Sequence, residues 1–249
     1  MLRQKKINRC TVETLESRQL FAVAIAMPAA NTLSFTGNFQ NDRIEINDNG
    51  NGVVSGAVSN AVGAMVPFGP VAGIRHLIIN TGDGNDSVNV RITGDMWAGG
   101  AHEIQCNLGN GNDWYRYDAQ STPTGMVKVG FNDTPTQRVL GGKGNDNLNY
   151  LHRGEIDGQV SATLDGGTED DVLYTEVKCT PGSQGWLSLT SNAGAGKDKV
   201  SLLVRKSVAA DPIVINAHAT SGPDLDWDEL TRTALATDDG LFSVVSVVP

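Results

Sequence analysis

The sequence predicts an all-β protein wound as a parallel β-solenoid (β-helix or β-roll-like), with coils of about 28 residues and one GxGxD turn in each. A turn of Gly, Asn and Asp recurs along the chain, and apolar residues alternate in fixed register on both sides of it. In addition, 29 of the 249 residues are Gly, with 9 Pro and no Gly-X-Y register, a composition that calls for many tight turns and excludes collagen.

The turns come first. They are Gly82-Asp83-Gly84-Asn85-Asp86, Gly109-Asn110-Gly111-Asn112-Asp113 and Gly141-Gly142-Lys143-Gly144-Asn145-Asp146, then Gly166-Gly167-Thr168-Glu169-Asp170-Asp171 and Gly194-Ala195-Gly196-Lys197-Asp198. A degenerate copy ends at Asp226, and another, Asn38 to Asp42, precedes the series. From Asp86 to Asp226 the closing aspartates are spaced by 27, 33, 25, 27 and 28 residues.

The flanks keep step with the turns. Two and four residues after the closing Asp stand Val88 and Val90, Tyr115 and Tyr117, Leu148 and Tyr150, Leu173 and Thr175, Val200 and Leu202. Before the turns stand Leu77 and Ile79, Ile104 and Cys106, Ala162 and Leu164; the third copy departs, with Gln137 beside Val139. Period-2 apolar placement marks strands with one buried face. Each unit therefore reads strand, turn, strand, and units of this size stack in parallel to bury a continuous core. The competing arrangement is an antiparallel sandwich with evenly spaced turns; constant register about one turn type favours the solenoid.

The chain divides accordingly. Residues 1–30 read as an export leader, 31–72 as N-terminal strands capping the solenoid, 73–223 as the repeat body, and 224–249 as a C-terminal cap. Within the last, 224–236 has acidic residues leading a short helical pattern, which predicts a helix. Residues 1–9 carry four basic side chains and no acid, and 20–30 (LFAVAIAMPAA) are apolar and end in small residues, the plan of a secretory signal too short to span a bilayer. No other apolar run approaches membrane length, so no membrane span is expected in the mature chain.

The formal net charge is -9; without the first thirty residues, 14 basic and 26 acidic side chains remain. Such a surface repels nucleic acid and anionic lipid and attracts cations. Three cysteines make neither a metal-ligand spacing nor a disulfide framework; Cys106 and Cys179 read as small buried apolar residues, with one bridge between them left open.

The turns have a chemistry of their own. Gly allows positive φ, which turns carbonyl oxygens to one side, and Asn and Asp add further oxygens. Calcium takes six to eight oxygens, so one turn cannot complete a shell, whereas turns stacked about 4.8 Å apart could share an ion between them. The alternative is that these residues form the tightest turn and bind nothing.

Leu140-Gly141-Gly142-Lys143-Gly144-Asn145-Asp146-Asn147-Leu148 resembles the RTX, or haemolysin-type, calcium-binding repeat G-G-x-G-x-D-x-U-x throughout. The turns closing at Asp86 and Asp113 lack only its first Gly. The resemblance implies Ca2+ held between successive turns of a parallel β-roll, with side-chain ligands Asp86, Asp113 and Asp146 and carbonyls from Gly82, Gly84, Gly109, Gly111, Gly142 and Gly144. RTX repeats run every nine residues and carry ions on both edges; here one turn per coil leaves one edge. Glu169 stands where Gly is expected, and Lys197 sets a cation beside the fifth turn, so ions are expected between the first three turns only. Leu15-Glu16-Ser17-Arg18-Gln19-Leu20-Phe21 is similar to the LEPR-x-L-L segment of planctomycete surface proteins, with Ser17 for Pro and Phe21 for Leu, and implies export to the cell surface. Asp224, Asp226 and Asp228 mimic the start of an EF-hand loop, but Glu229 and Leu235 break it.

No catalytic constellation emerges. His76, His102, His152 and His218 form no metal pair, and there is no G-x-S-x-G elbow or phosphate loop. Arg153 with Asp157, or Arg205 with Lys206, are the residues a β-helix polysaccharide lyase, hydrolase or epimerase would draw on. Tyr115, Tyr117 and Tyr150 fall at inward positions, hence core. The reading is an extracellular calcium-binding structural or adhesive protein, not an enzyme, with calcium and a cell-surface polysaccharide or protein as partners.

Overall fold

The computed structural model describes residues 23–60, 62–96, 100–120, 125–206, 213–220, 229–235 and 242–244. The described residues are all β. Strands β1 (Ala24–Ala29), β2 (Thr32–Thr36), β3 (Arg43–Asp48), β4 (Val53–Ser59) and β5 (Met65–Ala72) open the chain. Then come β6 (His76–Asp83), β7 (Ser87–Ile92), β8 (Gly100–Asn110), β9 (Trp114–Ala119), β10 (Asp133–Lys143), β11 (Asn147–Gly154) and β12 (Gln159–Thr168). The last are β13 (Val172–Cys179), β14 (Trp186–Ala195), β15 (Lys199–Lys206), β16 (Val214–Thr220), β17 (Glu229–Leu235) and β18 (Phe242–Val244).

These form two nine-stranded sheets. One runs β1-β2-β6-β8-β10-β12-β14-β16-β18, the other β17-β15-β13-β11-β9-β7-β3-β4-β5. From β6 onward the chain alternates between sheets, and every pairing within them is parallel. The result is a β-solenoid-like stack of two faces joined at one edge by the Gly-Asn-Asp turns. An antiparallel sandwich is excluded. A third, short side is marked by isolated parallel bridges Met96–Val129 and Val129–Ile156.

The sequence pattern accounts for the core. Residues on one parity of each strand, such as Leu148, Tyr150, Leu164, Leu173 and Val200, face inward and are buried. Tyr115, Tyr117 and Tyr150 are among the largest fully buried side chains, and the rings of Tyr117 and Tyr150 stack at 4.9 Å and 7°. Cys106 and Cys179 are buried on opposite sheets and form no disulfide with each other. Gln137, which breaks the apolar pattern before the third turn, is buried too and accepts the Tyr115 hydroxyl at 3.1 Å.

The ends differ from the body of the stack. The first winding is β2 and β3, so the Asn38–Asp42 turn belongs to the stack. The antiparallel hairpin β4–β5 lies on the outer side of β3, and β1, exposed along its length, pairs antiparallel with β2. The apolar end of the expected leader thus supplies β1; residues 1–22, which carry the basic start and the LEPR-like segment, lie outside the described residues. The helix expected over 224–236 is a correction: 229–235 is strand β17, in parallel register on β15 from Lys199↔Glu229 to Arg205↔Leu235. An open sheet edge offers a row of unpaired backbone groups, and pairing with it outweighs a weak helical propensity. Residues 224–228, with the degenerate turn, lie outside the described residues. No described helix is long and apolar enough to cross a membrane.

Candidate functional site: the aspartate edge

The closing aspartates form one column. Asp42, Asp86, Asp113, Asp146, Asp171 and Asp198 are each at most 2% exposed, with their side chains turned inside the turns. The backbone N–H of each donates to Oδ1 of the next: Asp42 to Asp86 and Asp86 to Asp113 at 2.7 Å, then Asp113 to Asp146, Asp146 to Asp171 and Asp171 to Asp198 at 2.8 Å.

A second column runs beside it in the opposite sense. The N–H of Asn85 donates to Oδ1 of Asn41, Asn112 to Asn85, and Asn145 to Asn112, at 2.8–2.9 Å. Asp170 continues it by donating to Asn145 and accepting from Lys197 N–H. At a tight turn the backbone carbonyls swing out of the sheet ladder, and buried N–H groups must find other acceptors. The Asn-Asp pair supplies one acceptor toward each neighbouring winding. This is why both residue types recur together.

The glycines hold the turns close. Gly82, Gly84, Gly109, Gly111, Gly142 and Gly144 all lie at φ between +100° and +137°, where side chains are disfavoured. A methyl group on Gly142 would sit 2.0 Å from the Gly109 carbonyl oxygen, and one on Gly111 1.9 Å from that of Gly84. The turn carbonyls therefore point along the stack at the matching glycine of the next winding. Glu169 adopts φ 75° in spite of its side chain, and its carboxylate accepts the Gly144 N–H at 2.9 Å. The fourth turn thus keeps the shape of the others.

The other carboxylate oxygen carries the chemistry. Oδ2 of Asp113, Asp146 and Asp171 is buried without a hydrogen-bond partner. The same holds for Asp86, since the proton of the nearby Thr81 hydroxyl goes to the Leu108 carbonyl at 2.7 Å. Burial, only partly offset by the donated N–H bonds, pushes the carboxyls of Asp86 and Asp113 up to about 6, Asp146 to about 7 and Asp171 to about 8; neighbouring aspartate charges add to the rise. Burial raises Asp42 as well. A column of stacked, half-satisfied carboxylates stores repulsion that a proton or a cation relieves. Among the described residues no three His, Cys, Asp or Glu side chains group as a metal site by themselves, so any ion here would draw on carbonyl oxygens as well.

The structure thus brings Asp86, Asp113 and Asp146 together on one edge, with their glycines. Asp42, Asp171 and Asp198 join the same column, and the sequence reading had left them out of the site. Their common signal was position, five residues beyond Gly37, Gly166 and Ala193, all small.

The residues considered for catalysis lie apart. Asp157 pairs with Lys128 at 3.1 Å rather than with Arg153, and Arg205 pairs with Glu176 at 3.3 Å. His76 meets Glu103 at 3.0 Å, and His152 is buried in the core, its ring held well below its usual range at about 4 by desolvation.

One buried polar contact is absent from the sequence reading, although His102 itself is named there. Arg75 Nη1 donates to His102 Nε2 at 2.7 Å, which leaves the ring proton on Nδ1, 4.0 Å from Asp48 Oδ2. Burial and the Arg75 charge lower His102 to about 4, so the imidazole is neutral. The cavity beside them encloses about 10 Å³, the room of a single water. Its signal was the repeat step itself, since Arg75 and His102 stand 27 residues apart.

No family model, curated protein or solved structure matches the chain.

Proposed function

We propose that this is an extracellular, calcium-binding structural or adhesive β-solenoid of the RTX-like kind, exported to the cell surface. The observation that carries the reading is the buried aspartate column, in which Asp86, Asp113 and Asp146 each keep an unpartnered Oδ2. Such oxygens at neutral pH call for a compensating charge, and an all-oxygen donor set suits a hard divalent cation. Ca2+ would be held by Oδ2 of those three residues together with carbonyls of Gly82, Gly84, Gly109, Gly111, Gly142 and Gly144. Bound there, the ion would cancel repulsion between windings and tie successive turns together. Affinity in the range of extracellular modules, roughly 10⁻⁴–10⁻³ M, is sufficient for that role.

Thermal melting of the chain with millimolar calcium and with chelator tests the reading. Calcium should raise the melting point by several degrees. The gain should vanish in an Asp86→Asn, Asp113→Asn, Asp146→Asn variant, which retains every Oδ1 acceptor while removing the charge. An unshifted wild-type melting point at millimolar calcium would sink the proposal.

A further inference from the structure

The outer face of the second sheet carries a feature at odds with the acidity of the chain. Arg153 on β11, Lys178 on β13 and Arg205 on β15 occupy one register position, Arg153↔Lys178↔Arg205. Neighbouring parallel strands lie about 4.8 Å apart, so three cations stand in single file along the stack. Like charges directly opposite one another across strands are destabilising.

The protein offsets little of this. Glu176 alone serves two of the three, accepting from Lys178 Nζ at 3.1 Å and Arg205 Nε at 3.3 Å, and its second oxygen takes the Tyr174 hydroxyl at 3.1 Å. Arg153 is exposed and has no acidic partner among the described residues. The side chains of Lys178 and Arg205 remain 38% and 49% exposed, so their free donors face outward. Beside the file, two residues back along the strands on the same face, Leu151 and Leu203 flank Glu176 and leave half-buried aliphatic surface.

We propose that this file is a binding site for an acidic polysaccharide, whose carboxylate or sulfate groups engage Arg153, Lys178 and Arg205 while the sugar rings lie over Leu151 and Leu203. The glycan would run along the solenoid axis. Charge complementarity selects an anion, and charge density selects a glycan. Duplex DNA carries one charge per about 1.7 Å of its axis, and the chain as a whole, with its net charge of -9, repels so dense a polyanion. A glycan with isolated acidic groups meets the file without that penalty. The site lies on the sheet face, away from the aspartate edge, and does not depend on the ion.

Affinity electrophoresis of the full chain, in chelator and at low salt, tests this with four matrices: κ-carrageenan, which carries one sulfate per disaccharide, polygalacturonate, neutral dextran and duplex DNA. Retardation is expected on one or both acidic glycans, which separates sulfate from carboxylate recognition, and not on neutral dextran or DNA. Arg153→Gln with Lys178→Gln should weaken binding by at least about tenfold and flatten its salt dependence. Arg153→Glu alone, at an exposed unpaired position, should do the same in part if the double variant folds poorly. Wild-type migration unchanged by both acidic glycans, variants that bind as the wild type does, or equal retardation by DNA would each overturn the proposal.

Discussion

The backbone N–H of Asp113 donates to Oδ1 of Asp146 at 2.8 Å, although 33 residues of chain separate them. The next link, Asp146 to Asp171, spans 25 residues and has the same length. The turn edge is therefore the fixed rail of the stack, and differences in winding length are taken up on the far side, in the long connection between β9 and β10 and the short one between β11 and β12. One carboxylate oxygen per winding does this structural work. The other is left for a proton or an ion.

The two oxygens can be separated by substitution. Asp146→Ala removes the acceptor of the Asp113 N–H and leaves a buried donor unsatisfied, which costs about 1–3 kcal/mol. Asp146→Asn keeps an Oδ1 in place and removes a buried charge, so in chelator at neutral pH it should be as stable as the wild type or more so. Urea denaturation of both variants checks the difference; equal losses would show that the Oδ1 bond is not what the aspartate contributes.

Stability without calcium should fall as pH rises. The carboxyls of Asp86, Asp113, Asp146 and Asp171 titrate at about 6, 6, 7 and 8 in the folded chain, above the roughly 3.9 of an unfolded aspartate. The folded state holds these protons more tightly, so their stabilisation is complete below about pH 4 and is lost as pH climbs through 6 to 8. Melting points in chelator should therefore decline from about pH 5 to about pH 8, and the calcium-induced rise should be larger at the upper end. A flat profile in chelator would contradict the buried column.

The repeat register, the inward tyrosines and the positive-φ glycines were legible because each leaves a local trace: a fixed step, an alternation, a residue without Cβ. The use of Asp and Asn as acceptors for neighbouring windings was not, because a turn motif looks the same whether its side chains bond within the turn or across the stack. Strand β17 was hidden for a related reason. The pattern of 224–236 is helical in isolation, and only the open edge of β15 makes it a strand. The Arg75–His102 contact and the Arg153–Lys178–Arg205 file became visible once residues one winding apart were read as neighbours. Glu169 shows the limit of propensity, since the windings on either side hold a glutamate at φ 75°.

Glycines that share a positive φ should differ sharply in what they tolerate. Gly63 lies at φ +80° with nothing within 4 Å of an added Cβ, so Gly63→Ala incurs conformational strain alone, about 1–2 kcal/mol. Gly142→Ala adds a methyl 2.0 Å from the Gly109 carbonyl, which can yield only if two windings separate. It should cost more than about 4 kcal/mol and fall among the exceptional substitutions. Equilibrium unfolding of the pair measures the contrast, and similar losses would mean that the windings are not in contact at the turn.

Gln137 and Tyr115 should behave as a unit. Gln137→Leu leaves the fully buried Tyr115 hydroxyl without its acceptor, an expected loss of about 1–3 kcal/mol. Tyr115→Phe alone strands the Gln137 amide at similar cost. Replacing both partners removes the unsatisfied groups together, and the double variant should be more stable than the sum of the single losses predicts, by about 1 kcal/mol or more. A double-mutant cycle by urea unfolding gives this coupling directly. Strict additivity would mean that the polar break in the third winding's apolar pattern is held by something other than the tyrosine across the core.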